Sequence, residues 1–74
     1  MKLNTVGISL LRGNKALWET VRNALGVSKN TMYRYVQTND PTLTQASSLK
    51  VIRKETGLTD SEILEEEISN VLQN

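Results

Sequence analysis

The chain is interrupted at four places by residues that end helices: Gly13-Asn14, Gly26, the stretch Thr38-Asn39-Asp40-Pro41, and Gly57. Glycine takes the left-handed backbone of a helix end at least cost, and Pro41 biases Asp40 away from helical angles. Between the breaks, apolar residues recur at spacings of three and four. Leu17, Trp18, Val21, Ala24 and Leu25 predict an amphipathic helix over 15–25, with Asn14 able to cap its first turn. Met32, Tyr35 and Val36 give the apolar face of a helix that opens on the N-cap Ser28 and runs to about Gln37. Ala46, Leu49, Val51 and Ile52 predict a further helix over 44–56. Upstream, Leu3, Val6, Ile8, Leu10 and Leu11 mix helical with alternating spacing and are read as a short first helix containing Gly7. Downstream, Thr59-Asp60-Ser61-Glu62 fits a capping box whose acids suit a helix N-terminus; it opens a fifth helix carrying Ile63, Leu64, Ile68, Val71 and Leu72. The expected architecture is all-α, a compact bundle of about five short helices in a single domain spanning 1–74.

Composition narrows the function classes. A chain of 74 residues buries only about 60% of its unfolded surface, so its stability margin is thin. With no Phe and one Trp, the core falls to Leu, Val and Ile and leaves no room for a deep substrate cavity of ~300 Å³ or more. The absence of Cys and His removes disulfides, thiolate metal sites and the commonest general base and metal ligand. The chain is therefore expected not to be an enzyme, and to take no cofactor, metal or small-molecule substrate. Glu65-Glu66-Glu67 is read as solvated surface, because three consecutive helical residues cannot face one ion. No apolar run approaches the ~18 residues of a membrane span, and the first residues lack a signal-peptide pattern, so a cytoplasmic location is expected.

Charge is unevenly distributed. Residues 1–36 carry six basic side chains against Glu19, a net of +5, and residues 37–74 carry three against seven acids, a net of −4. One half suits a polyanion and the other does not. Around Gly26, Val21 and Leu25 precede the break, Val27 follows it, and Met32 and Tyr35 come six and nine residues later. Those five positions must pack together if two helices meet across a short turn, as in a helix-turn-helix.

On these residues the chain resembles the Cro-like and phage-repressor (XRE-type) class of helix-turn-helix regulators. The likeness covers 17–64 in three blocks: ETVRNALGVSKNTMYRYV, NDPTLT and LKVIRKETGLTDSEILEE. It departs from the family pattern at Arg22, where a small residue is usual four before the turn glycine, and in a longer fourth and shorter first helix. The resemblance implies a lambda-repressor-like fold and double-stranded DNA as partner, with a recognition helix over about 28–37 in the major groove. It implies a repressor of a phage or mobile element that works by occupying its operator.

With Val27, Met32 and Tyr35 turned inward, the outward set is Ser28, Lys29, Asn30, Thr31, Tyr33, Arg34 and Gln37, with no acid between Val27 and Asn39. Base contacts are assigned to Lys29, Asn30, Thr31, Tyr33, Arg34 and Gln37: Arg34 has the geometry for guanine O6 and N7, Asn30 or Gln37 for adenine N6 and N7, and the Thr31 methyl for thymine. Phosphate contacts are assigned to Ser28, Arg22, Lys15 and Arg12, and Trp18 is placed in the core. Ile68, Val71 and Leu72 serve equally as final core positions or as a homodimer surface. The alternative function is a protein-interaction module on the same scaffold, such as an antirepressor, antitoxin component or polymerase inhibitor, motivated by the acidic second half.

Overall fold

The computed structural model describes residues 1–65. Within them run α1 (Thr5–Gly13), α2 (Lys15–Leu25), α3 (Lys29–Thr38), a 3-10 turn (Pro41–Thr44), α4 (Ala46–Thr56) and the single-turn α5 (Asp60–Ile63). The fold is all-α, five helices among the described residues, and none of them is long and apolar enough to cross a membrane.

Caps explain where the helices begin and end. Asn4 Oδ1 accepts the Gly7 N–H at 2.9 Å to open α1. Asn14 closes α1 by donating its N–H to Leu10 at 3.0 Å and opens α2 by accepting from Leu17 at 3.1 Å, so one residue turns the chain between two helices. Gly26, at φ +69°, closes α2. Thr59 and Glu62 form the expected capping box, the Glu62 carboxylate accepting from the Thr59 N–H at 3.0 Å.

Ten side chains fill the core: Leu3, Leu11, Leu17, Val21, Met32, Val36, Leu43, Leu49, Ile52 and Ile63. Each contributes about 1.5–3 kcal/mol relative to remaining in water. α2 rests mainly on α4, and α1 lies against α2 and α5. Ala24 and Ala46, expected on apolar faces, lie exposed instead. A methyl group contributes little by burial, and Leu17, Val21, Leu49 and Ile52 set the rotation of the two helices.

The ends of the fold differ from expectation in three ways. Helix four does not begin at Thr44, because Pro41 and the Asp40 cap start a separate 3-10 turn. Asp40 Oδ1 accepts from the Thr42 N–H at 2.9 Å and its hydroxyl at 2.6 Å, and the chain stays extended at Gln45 before α4. Leu3 and Leu64, both expected in helices, are extended and form an isolated antiparallel bridge. Its bonds run from Asn4 N–H to the Ile63 carbonyl at 2.8 Å and from Glu65 N–H to the Lys2 carbonyl at 2.9 Å. The Asn4 side-chain amide adds a bond to the Glu62 carbonyl at 2.9 Å, so polar backbone pairing across 58 residues outweighs one more helical turn. Finally, α3 runs one residue further, to Thr38, and closes on Asn39 at φ +53°, whose amide donates to the Leu3 carbonyl at 2.8 Å. Ile68, Val71 and Leu72 lie outside the described residues, as do Glu66 and Glu67.

Gly7 is where α1 meets this bridge. It is buried, and a Cβ built there falls 2.9 Å from the Ile63 carbonyl oxygen and 3.1 Å from Leu3 Cβ. Only a residue without a side chain permits that approach.

Candidate nucleic-acid interface

The face in question is built by α3 and the ends of α1 and α2 that flank it. Ser28 fixes the start of α3: its Oγ accepts from the Thr31 N–H at 3.2 Å and donates to Thr31 Oγ1 at 3.0 Å. Met32 and Val36 are buried, and Val27 and Tyr35 pack half-buried against the core. That rotation leaves Lys29, Asn30, Tyr33, Arg34 and Gln37 exposed along one side, Tyr33 at 62%. Of the six side chains assigned to bases, Thr31 alone is half-buried, with its hydroxyl engaged by Ser28.

The residues assigned to phosphate divide. Arg12, in the last turn of α1, and Lys15, at the start of α2, are exposed and border a groove shared with Lys29 and Tyr33. Ser28 is exposed at the start of α3. Arg22 is engaged within the chain. Its Nε and one terminal nitrogen grip both Glu19 oxygens at 3.3 and 3.1 Å, and the other nitrogen donates to the Val27 carbonyl at 3.2 Å. Where the family pattern has a small side chain, this chain has a strut that ties α2 to the first residue past Gly26. The signal was legible in the Glu19/Arg22 spacing of three, which makes neighbours on a helix; the contact to Val27 was not.

The same contact shapes the local field. The hydrogen bond from Arg22 holds the Glu19 carboxyl below its ordinary pKa, with the charges of Arg22, Lys29 and Lys15 adding to it. Glu19 is thereby an ionised but compensated charge. No ion pair forms at Arg12, Lys15, Lys29 or Arg34 among the described residues. Of the other acids among the described residues, Asp60 pairs with Arg53 at 2.9 Å, Asp40 and Glu62 act as caps, Glu55 lies exposed on α4, and Glu65 borders the far end of the face near Gln37 and Asn39.

Trp18 is not wholly a core residue. It is half-buried, and its ring lies 4.9 Å from that of Tyr33, tilted by 40°. The pair forms one wall of a groove of about 430 Å³ between α1, α2 and α3, floored by Leu11 and Val36. It is an open groove between helix faces at the surface and not a deep substrate cavity, so forming it removes nothing from the core.

No family model, curated protein or solved structure matches this chain. The likeness to Cro-type regulators therefore rests on the residues themselves.

Proposed function

We propose that the protein is a small sequence-specific DNA-binding regulator of Cro type, with α3 as its major-groove helix and steric occupation of an operator as its mode of action. The observation that carries this reading is the exposed side of α3: five polar or basic side chains without an acid among them, flanked by Arg12 and Lys15, with nearby Glu19 compensated by Arg22. In this reading Arg34, Asn30 and Gln37 address base edges, each good bidentate pair contributing about 1–3 kcal/mol of discrimination. Arg12, Lys15 and the N-terminal turn of α3 hold the backbone, which fixes register without reading sequence. The rigid Ser28 cap and the Arg22 strut support the reading because base recognition needs a helix whose orientation is set before contact.

Selection of bound sequences from a random duplex library, followed by titration of the selected site across a salt series, tests it. Log K should fall linearly with log salt at about −0.9 per phosphate neutralised. Lys15→Ala should reduce the magnitude of that slope by about 1 and weaken all sequences alike, whereas Arg34→Ala should relax preference at one base position. A flat salt response, or Arg34→Ala binding the selected site with undiminished preference, refutes the proposal.

A further inference from the structure

The groove beside α3 has an apolar part, Val36 and Trp18, that DNA binding does not use. Its floor and one wall are apolar, made by Val36, Trp18 and Tyr33, while Arg12, Lys15 and Lys29 line its edges together with one acid, Glu19. None of these three cations is ion-paired among the described residues. A phosphate backbone would engage the edges and leave the apolar floor wet. The complementary ligand is one that brings several negative charges together with a large apolar side chain.

We infer that this groove is a docking site for an acidic peptide segment of a protein partner, with a phenylalanine or leucine seated against Trp18 and Tyr33 and carboxylates on Arg12, Lys15 and Lys29. Charge complementarity selects that occupant: a basic or neutral segment gains nothing at the edges, and Glu19 repels no acid strongly because Arg22 compensates it. The aromatic pair supplies the central, partly desolvated contact on which peptide affinity concentrates. Lys29 and Tyr33 belong both to the groove and to the exposed side of α3, so a docked segment covers part of the surface assigned to DNA. The partner thus acts as an antagonist of operator binding, a consequence that rests on the DNA reading, whereas the docking itself does not.

Trp18 is the only tryptophan, so its fluorescence reports occupancy directly. The full chain is titrated with three blocked hexapeptides: Glu-Glu-Phe-Leu-Glu-Glu, the same with Ser-Ser at the centre, and the same with Lys for Glu. The first should shift Trp18 emission saturably, and the other two should bind at least tenfold more weakly. Lys15→Glu, an exposed change checked for retained helicity by circular dichroism, should weaken the first peptide at least tenfold. Equal binding of the serine or lysine peptide, an unchanged response in Lys15→Glu, or a shift produced by the free aromatic anion anilinonaphthalene sulfonate but not by the peptide would each overturn the docking site. Peptide binding in a protein that binds no duplex supports the site and refutes the DNA reading; duplex binding without peptide binding does the reverse. Simultaneous binding of both without competition overturns the antagonism.

Discussion

Replacing Gly7 by alanine sets two effects of known size against each other. In the middle of a helix the substitution ordinarily stabilises, since glycine is about 0.8–1.0 kcal/mol worse than alanine there. At Gly7 the new methyl would stand 2.9 Å from the Ile63 carbonyl oxygen and 3.1 and 3.2 Å from two Leu3 carbons, inside the roughly 3.5–4.0 Å optimum between carbon atoms. The obstructing oxygen is backbone and already accepts the Asn4 N–H at 2.8 Å, so it cannot withdraw without loosening the bridge that joins the two ends of the described chain. Overpacking of this kind costs about 1–3 kcal/mol. Taking about 2–3 kcal/mol because the neighbour is backbone, and subtracting the propensity gain, leaves a net loss of about 1–2 kcal/mol. In a domain of this size each kcal/mol moves Tm by about 4–8 °C. Thermal melts followed at the helical circular dichroism band should therefore place Gly7→Ala roughly 4–16 °C below the parent. Gly13→Ala is the internal control: it lies at the other end of the same helix, and its Cβ meets nothing within 4 Å. It should melt at or slightly above the parent. Should Gly7→Ala raise Tm as Gly13→Ala does, the close approach of α1 to Ile63 is wrong.

Three further outcomes follow from named contacts. Ser48 is wholly buried and its Oγ donates to the Leu43 carbonyl at 2.7 Å; Ser48→Ala removes that donor and should cost about 1–3 kcal/mol in a urea melt. Arg22→Met should lower Tm, return the Glu19 carboxyl toward its ordinary titration range by NMR, and weaken duplex binding severalfold by leaving an uncompensated acid beside Lys29, although Arg22 itself reaches no base in our reading. Glu19, Asp40 and Glu62 all have depressed pKa values, from the hydrogen bond of Arg22, the hydroxyl of Thr42 and the backbone N–H of Thr59 respectively. A depressed folded pKa gives stability that is present above the unfolded value and lost as pH falls through the folded one. Tm should accordingly be flat from neutral pH down to about 5, then fall as pH drops below the ordinary carboxylate values of about 4.3 for Glu and 3.9 for Asp; a Tm that rises in that range would contradict these assignments.

Much of the local structure was legible along the chain. Asn14, Ser28, Gly26 and the Thr59–Glu62 box mark helix ends by chemistry that acts within four residues, and each stands at the boundary expected of it. Apart from half-buried Thr31, the exposed side of α3 could likewise be listed in advance, because Met32 and Val36 fix its rotation and the rest follows from 3.6 residues per turn. Where distant parts meet, neighbouring residues carry no signal. Leu64 looks like a continuing helix, and nothing near it in sequence announces that Leu3 will pair with it. Arg22 was assigned to phosphate, whereas the turn brings the Val27 carbonyl within its reach and Glu19 holds it within the chain.

What the order of residues decided alone is therefore the approximate spans of the helices, the caps at Asn14, Ser28, Gly26 and Thr59, and most of the polar side of α3, since these depend on propensity, spacing and neighbours a turn away. The tertiary structure alone decided the bridge between Leu3 and Leu64, the close approach at Gly7 and the groove that joins Trp18 to Tyr33. Each depends on which helix surfaces meet, and that is settled by the packing of the whole core.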